Sequence, residues 1–143
     1  MKKKIFIAHG HNTLAIYELK SFLERLNLHP VILFELDDLG LTIIEKFEHY
    51  AKDCCFACIL LTPDDKTSKE LFGNEIWRAR QNVILELGWF MSYLGRRNVL
   101  IIHKGEVEIP SDILGVLYLQ FKNSIFEVSE KIRLRLTGAN ILK

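Results

Sequence analysis

Phe56-Ala57-Cys58-Ile59-Leu60-Leu61 is an unbroken run of apolar residues in a chain of otherwise ordinary polarity. A strand with one wet face alternates apolar and polar residues, whereas a strand that does not alternate is covered on both faces. This run therefore reads as the central strand of a sheet lying between two layers. Four other short runs share its character: Ile5-Phe6-Ile7-Ala8, Val31 to Phe34, Asn98 to His103 and Val116 to Leu119. They are separated by segments with helical periodicity. Leu19, Phe22, Leu23 and Leu26 follow the i, i+3, i+4, i+7 spacing of a first helix. Thr42-Ile43-Ile44-Glu45 is a capping box, and its helix turns Ile43, Ile44, Phe47 and Ala51 inward. A third helix runs from Asn82, taken as its N-cap, to Gly95. Ser124-Ile125-Phe126-Glu127 is a second capping box, opening a terminal helix with Ile125, Val128, Ile132 and Leu136 inward. Thr62 to Gln81 is a long polar segment.

Strands at helix-plus-turn spacing, joined by right-handed crossovers, give an α/β, flavodoxin-like, doubly wound sandwich with a five-stranded parallel sheet. Residues 1–143 form a single domain, large enough for a core of its own. In such a sheet ligands bind outside the C-terminal ends of the strands. That edge collects His9-Gly10-His11-Asn12, the acidic loop Glu35 to Leu41, Thr62-Pro63-Asp64-Asp65 and the loop after His103.

Charge narrows the partners. The formal net charge is +1, which gives no long-range steering toward nucleic acid or an anionic membrane. Lys2, Lys3 and Lys4 read as a solvated entry to the first strand. The first apolar run is too short for a signal peptide, and no span reaches the roughly 18 apolar residues of a membrane helix. The expectation is a soluble, cytoplasmic protein. Cys54, Cys55 and Cys58 include a C-x-x-C spacing, but the pair enters a strand rather than a helix N-terminus, and no second ligand pair accompanies it. All three read as small hydrophobes, with no metal or redox centre expected.

Glu86 is the residue that most needs explaining. It stands inside an apolar helix that continues through Leu87, Trp89, Phe90, Met91, Tyr93 and Leu94. With Asn82 as the N-cap, Glu86 falls at N4, one place past the capping-box position. Helical spacing sets Asn82, Glu86, Trp89 and Tyr93 on one stripe beside a core stripe of Val83, Leu87, Phe90 and Leu94. An acid, an amide and two amphipathic aromatics could form a pocket wall for a ribose or a flat ring. A structural ion pair with Arg78 or Arg80 is the competing explanation. The Gly10 loop runs into a helix N-terminus, where backbone N–H groups can hold phosphate, although both G-x-G-x-x-G and the Walker A pattern are absent. An ordinary turn with Asn12 or Thr13 as N-cap accounts for it equally well. Asp37-Asp38 and Asp64-Asp65 read as solvated turn residues. A receiver domain would need an acidic pair after the first strand and an Asp ending the third. Here those strands end in His9-Gly10 and Thr62-Pro63.

Several ordered segments are similar to bacterial Toll/interleukin receptor (TIR)-like domains of antiphage effectors, the type fused to STING or cyclic-nucleotide-sensing modules. They are Ile5 to His11, Gly40 to Glu48, Leu60 to Asp65, Arg78 to Gly88, Ile109 to Ile113 and Gly115 to Tyr118. The resemblance implies a NAD⁺ hydrolase that releases nicotinamide and ADP-ribose or a cyclic form. NAD⁺ is then substrate, with no cofactor and no metal. It assigns the catalytic carboxylate to Glu86. Substrate contacts fall on His9, Gly10 and His11, on Asp37 and Thr42, and on Arg78, Arg80, Asn82 and Trp89. It makes Glu35 to Thr42 a flexible loop that closes or packs on self-association into an oligomer or filament. It also implies a fused or associated cyclic-nucleotide sensor, of which 143 residues would be the effector module alone. Many animal and plant TIR enzymes carry an aromatic one helical turn before the acid. Asn82 stands there in this chain, leaving Trp77, Trp89 or Phe90 to stack on the substrate. Two alternatives stay open: another N-glycosidic enzyme such as a nucleoside deoxyribosyltransferase, and a non-enzymatic adaptor that self-associates.

Overall fold

A computed structural model of the chain describes residues 1–63, 65–66, 77–78, 81–105, 107–110, 113 and 115–143. In chain order the elements are β1 (Lys4–Ala8), α1 (Thr13–Arg25), β2 (His29–Val31), α2 (Ile43–Ala51), β3 (Phe56–Leu61), β4 (Asp65–Lys66), β5 (Trp77–Arg78), α3 (Gln81–Leu94), β6 (Val99–Lys104), β7 (Val107–Glu108), β8 (Leu117–Phe121) and α4 (Ser129–Gly138). Tight 3-10 turns occupy Leu33–Glu35, Arg96–Asn98 and Ile125–Val128. The main sheet has five strands in the order β2-β1-β3-β6-β8, all parallel. The doubly wound fold predicted from the apolar runs is the fold observed, with the Phe56–Leu61 strand at its centre.

Strand periodicity persists although the strands carry almost no polar residues. Ile5, Ile7, Phe56, Cys58, Leu60, Leu100 and Ile102 face a layer built from α1 and α4. Phe6, Ala8, Ala57, Ile59, Leu61, Val99 and Ile101 face α2 and α3. Alternation thus selects a layer rather than core against solvent. In the α2–α3 layer four rings interlock. Phe6 lies 4.9 Å from Phe90 and 5.4 Å from Phe47, Phe47 lies 5.5 Å from Phe90, and Trp89 stands edge-on to Phe47 at 5.1 Å. These tilted and edge-to-face contacts fix α2 against α3 over β1. The thiols of Cys54 and Cys58 are buried and pushed up to about 12 by that burial, and that of half-buried Cys55 is raised for the same reason. All three cysteines are unbridged and pack as small apolar groups.

Several boundaries differ from the sequence reading, each for a local reason. The second strand is His29–Val31 rather than Val31 to Phe34. Pro30 sits inside it, opposite Ile5, which an edge strand tolerates because one of its sides carries no ladder. The apolar run then bends into the turn Leu33–Glu35, closed by Glu35 N–H on the Ile32 carbonyl at 3.1 Å. Ile43 and Ile44 do not face inward. They are 86% and 58% exposed, and α2 meets the core only from Phe47 onward. The capping box at Thr42 is present, and it fixes where the helix begins, not which of its turns find a partner. The fourth strand begins at Val99, after a 3-10 turn, and the fifth runs Leu117–Phe121. The second capping box opens a 3-10 turn before α4, with Ile125, Val128, Ile132 and Leu136 all buried as expected. The segment read as polar connection holds β4 and β5, while residues 64, 67–76, 79 and 80 lie outside the described residues.

Two predictions follow from this packing. Phe90 is fully buried at the centre of the ring cluster, so Phe90→Ala should cost about 3–5 kcal/mol in denaturant unfolding. Phe90→Leu, which leaves a smaller void, should cost clearly less. Glu127 accepts backbone N–H bonds from Lys122, Asn123 and Ser124 at 3.1, 2.7 and 2.6 Å, and these hold its carboxyl below its ordinary 4.5. Its contribution is complete above that ordinary value and fades as pH falls through the lowered folded value. Thermal melts of the parent and Glu127→Gln should therefore differ at about pH 6 and converge toward about pH 3.

Candidate functional site at the sheet edge

The order β2-β1-β3 reverses chain direction across the sheet at the β1/β3 boundary, the position where parallel α/β sheets open a crevice at their C-terminal edge. From β1 the chain passes through His9, buried Gly10, exposed His11 and Asn12 into α1. Asn12 is the N-cap, its Oδ1 accepting from Ala15 N–H at 3.1 Å, which settles the choice between Asn12 and Thr13. His9 Nδ1–H donates to the Gly10 carbonyl at 2.8 Å, and its ring stands edge-on to Phe34 at 5.2 Å.

Polar burial concentrates at this same edge. Among the described residues Thr62 and His103 are the buried polar side chains. Thr62 follows the end of β3, and His103 pairs in register with Leu61. His103 Nδ1 bonds the Gly105 carbonyl at 3.0 Å. Because a carbonyl only accepts, Nδ1 carries the proton in that bond. Burial lowers the pKa of this imidazole, which is therefore neutral at pH 7.

The acidic loop beside β1 is held by its own helix. Lys46 Nζ donates to the Leu36 carbonyl at 2.8 Å and to Asp38 Oδ1 at 2.7 Å. Tyr50 OH donates to the Asp37 carbonyl at 2.8 Å. Lys20 of α1 holds Glu35 at 2.8 Å, and that bond raises the ammonium pKa. Thr42 Oγ1 accepts from Glu45 N–H at 3.3 Å while Glu45 Oε1 accepts from Thr42 N–H at 3.0 Å. The tip is a turn closed by Leu41 N–H on the Asp38 carbonyl at 2.9 Å, with Leu39 at φ +56° and Gly40 at φ +71°. Positive φ at both central positions is the type I′ geometry that glycine accepts readily and leucine rarely adopts.

α3 starts at the same edge, because it leaves β5 and returns the chain to the opposite end of β6. Its first helical residue is Gln81, so Asn82 is not the N-cap. Glu86 stands five residues beyond Gln81, well into the second turn and out of reach of any capping role. Val83, Leu87 and Phe90 are buried, as the core stripe required. Asn82 is exposed, Glu86 half-buried and Trp89 half-buried. Trp89 is engaged by Phe47, Phe90 and Tyr93, and Tyr93 OH reaches the Lys52 carbonyl at 3.0 Å. The Glu86 stripe therefore lies on the side of α3 that meets α2, with Asn82 and then Glu86 toward the sheet edge and Trp89 and Tyr93 further from it.

Sequence reasoning missed two features here. One is a small second sheet, β4-β5-β7, in which Asp65–Lys66 runs antiparallel to Trp77–Arg78 and the latter parallel to Val107–Glu108. It joins the segments leaving β3 and β6 to the one entering α3. Two-residue strands carry no periodicity from which to read them. The other is the pair of tethers from Lys46 and Tyr50, four residues apart on one side of α2, a spacing that could have been noticed. Of the residues expected to touch substrate, His9, Gly10, His11, Asp37 and Thr42 surround the β1 end and its neighbouring loop, and Asn82, Glu86 and Trp89 lie on α3. The side chain of Arg78, all of Arg80, and the ion pair once considered between them and Glu86 lie outside the described residues.

Residues 4–123 match the family described as "CAP12/Pycsar effector protein, TIR domain". The chain belongs to that TIR family. It is 48% identical over 120 residues to Uncharacterized protein YuaY of Escherichia coli (strain K12), covering 84% of this chain and 40% of that protein. It is 32% identical over 139 residues to Protein tirC of Dictyostelium discoideum, covering 90% and 69%. It is 35% identical over 80 residues to Pycsar effector protein BcPycTIR of Burkholderia cepacia, covering 54% and 26%. The TIR domain thus spans well under half of YuaY and BcPycTIR. No helix among its described residues is long and apolar enough to cross a membrane.

The tethers make a direct prediction. Lys46→Met leaves the Leu36 carbonyl and Asp38 carboxylate without their donor. Amides of residues 36–41 should then exchange hydrogen about tenfold faster in native-state experiments, with global stability changed by no more than about 1–2 kcal/mol.

Proposed function

We propose that this TIR domain is a NAD⁺ glycohydrolase, the effector part of an antiphage signalling protein, with Glu86 as its catalytic carboxylate. The observation that carries the reading is the position of Glu86: half-buried in the second turn of an apolar helix, at the ligand edge of the sheet, where helix capping offers no reason for an acid. Membership of a family that includes Pycsar effectors supports the effector role.

In the reaction water and NAD⁺ give nicotinamide, ADP-ribose and a proton. Nicotinamide departs neutral from a cationic pyridinium, so the leaving group needs no general acid. Positive charge instead builds on the ribose, as in glycoside cleavage. A carboxylate fixed beside that ribose stabilises the charge where it develops. Glu86 fills this role, and Asn82, one turn earlier on the same stripe, is placed to hold ribose hydroxyls. The amides of the Gly10–Asn12 turn and the N-terminus of α1 offer a seat for the pyrophosphate, with Arg78 and Arg80 as cations preceding α3. No step calls for a metal or a cofactor.

Self-association is the proposed switch. Leu39 at the loop tip and Ile43 and Ile44 in the first turn of α2 stand exposed beside a loop base tied down by Lys46 and Tyr50, which suits a protruding apolar contact with another copy. A cyclic-nucleotide sensor, fused or associated, would control that assembly.

Glu86→Gln should lower NAD⁺ consumption by roughly two to three orders of magnitude with an unchanged melting temperature. Equal rates in both proteins would overturn the assignment. Release of free base from deoxynucleosides, with no nicotinamide from NAD⁺, would favour transferase chemistry instead. Leu39→Asp should lose concentration-dependent activity while keeping the fold.

A further inference from the structure

Three rings meet at the ligand edge on the side away from Glu86. Phe34 lies in the turn after β2, 52% exposed, and Tyr17 projects from α1, 48% exposed. The Phe34 ring stands at 84° to His9, 5.2 Å away, and at 82° to Tyr17, 6.4 Å away. The turn that carries Phe34 is fixed on its next residue, because Glu35 is held by Lys20 of α1. An aromatic group of this size left half open, braced on two sides and adjoining an N-capped helix start, is a rigid shelf that the core does not use.

We propose that Phe34, with Tyr17 and the His9 ring beside it, is the platform for the base at the far end of a dinucleotide whose scissile ribose lies at Glu86. This rests on the glycohydrolase reading and adds what recognises the rest of the substrate. Distance decides which part of the ligand the shelf can reach. Phe34 follows β2, and Glu86 belongs to α3, which packs chiefly on β3 and also touches β1 and β6, so the two stand up to about 10 Å apart along the sheet before the helix layer is counted. A single nucleoside held at Glu86 does not span that gap. A pyrophosphate-linked dinucleotide does, and the route between the two points passes the Gly10–Asn12 turn at the end of β1. A phenyl face stacks on any base, so the shelf supplies affinity for the presence of a second aromatic ring more than for its identity. Nicotinamide mononucleotide, which ends at the phosphate, would gain nothing from it.

The Glu86→Gln protein leaves substrate intact and serves as the parent for calorimetric binding of ADP-ribose, AMP and nicotinamide mononucleotide. Adding Phe34→Ala should weaken ADP-ribose and AMP by about tenfold or more, Phe34→Tyr should restore them, and nicotinamide mononucleotide should be unaffected. In the active protein Phe34→Ala should raise KM for NAD⁺ by a similar factor with little change in kcat. Unchanged ADP-ribose affinity on Phe34→Ala overturns the platform, as does an equal loss for nicotinamide mononucleotide. Unchanged ligand affinity together with weakened self-association in sedimentation would reassign Phe34 to a protein contact. A protein that consumes no NAD⁺ in any assembly state, yet binds AMP in a Phe34-dependent way, would sink the enzymatic reading and leave the base platform standing.

Discussion

Burial of both faces of β1, β3 and β6 is the constraint on which the rest of the molecule depends. A parallel strand covered on two sides has no wet face on which to carry function, so polar chemistry is driven to the strand ends. The two buried polar side chains among the described residues, Thr62 and His103, obey this, both standing at C-terminal ends of neighbouring central strands. The same constraint sends each connection across a face as a helix. It thereby brings the start of α1 and the start of α3 to the edge where β1 and β3 diverge.

What lies at that edge is then set by how the covering helices pack on each other. The Phe6–Phe47–Phe90–Trp89 cluster fixes α2 against α3. Tyr93 and the Lys52 carbonyl close the far end of that contact. Aromatic rings thus fill the contact between α2 and α3 below the half-buried Glu86. Trp89 belongs to this packing geometry as well. It is engaged by Phe47, Phe90 and Tyr93 and stays half-buried.

The legible parts of this fold were those governed by repetition or by a local reciprocal bond. Apolar runs located five strands, and the capping boxes located the start of α2 and of the 3-10 turn that leads into α4, because Thr42–Glu45 and Ser124–Glu127 satisfy themselves within one turn. The errors arose where a residue's fate depends on a distant partner. Ile43 and Ile44 have the right period to face inward, but no layer reaches them. Val31 to Phe34 has the composition of a strand, but only its first residue remains in one before the chain turns. At the candidate site, Glu86 was conspicuous because a carboxylate is unusual in an apolar helix. Phe34 was invisible because a phenylalanine in an apolar run is expected to be core, and only its exposure in the fold separates it from a buried side chain.

The acidic loop joins two properties that usually exclude each other. Its base is tied to α2 by Lys46 and Tyr50 and to α1 by Lys20, while its tip carries an exposed leucine at positive φ beside a glycine. Conformational strain of order 1 kcal/mol or more persists only where surrounding bonds over-determine the backbone, and these tethers supply that determination. They also couple the tip to its neighbours. Glu35, held by Lys20, adjoins Phe34, and Asp37, held by Tyr50, connects to the helix that packs on the Glu86 stripe. Under the proposed reading, displacement of the tip by another copy would bear on Phe34 through one tether and on the α2–α3 contact through the other. Under the proposed reading, assembly and substrate geometry share the same few hydrogen bonds, and no long-range pathway through the core is needed to connect them.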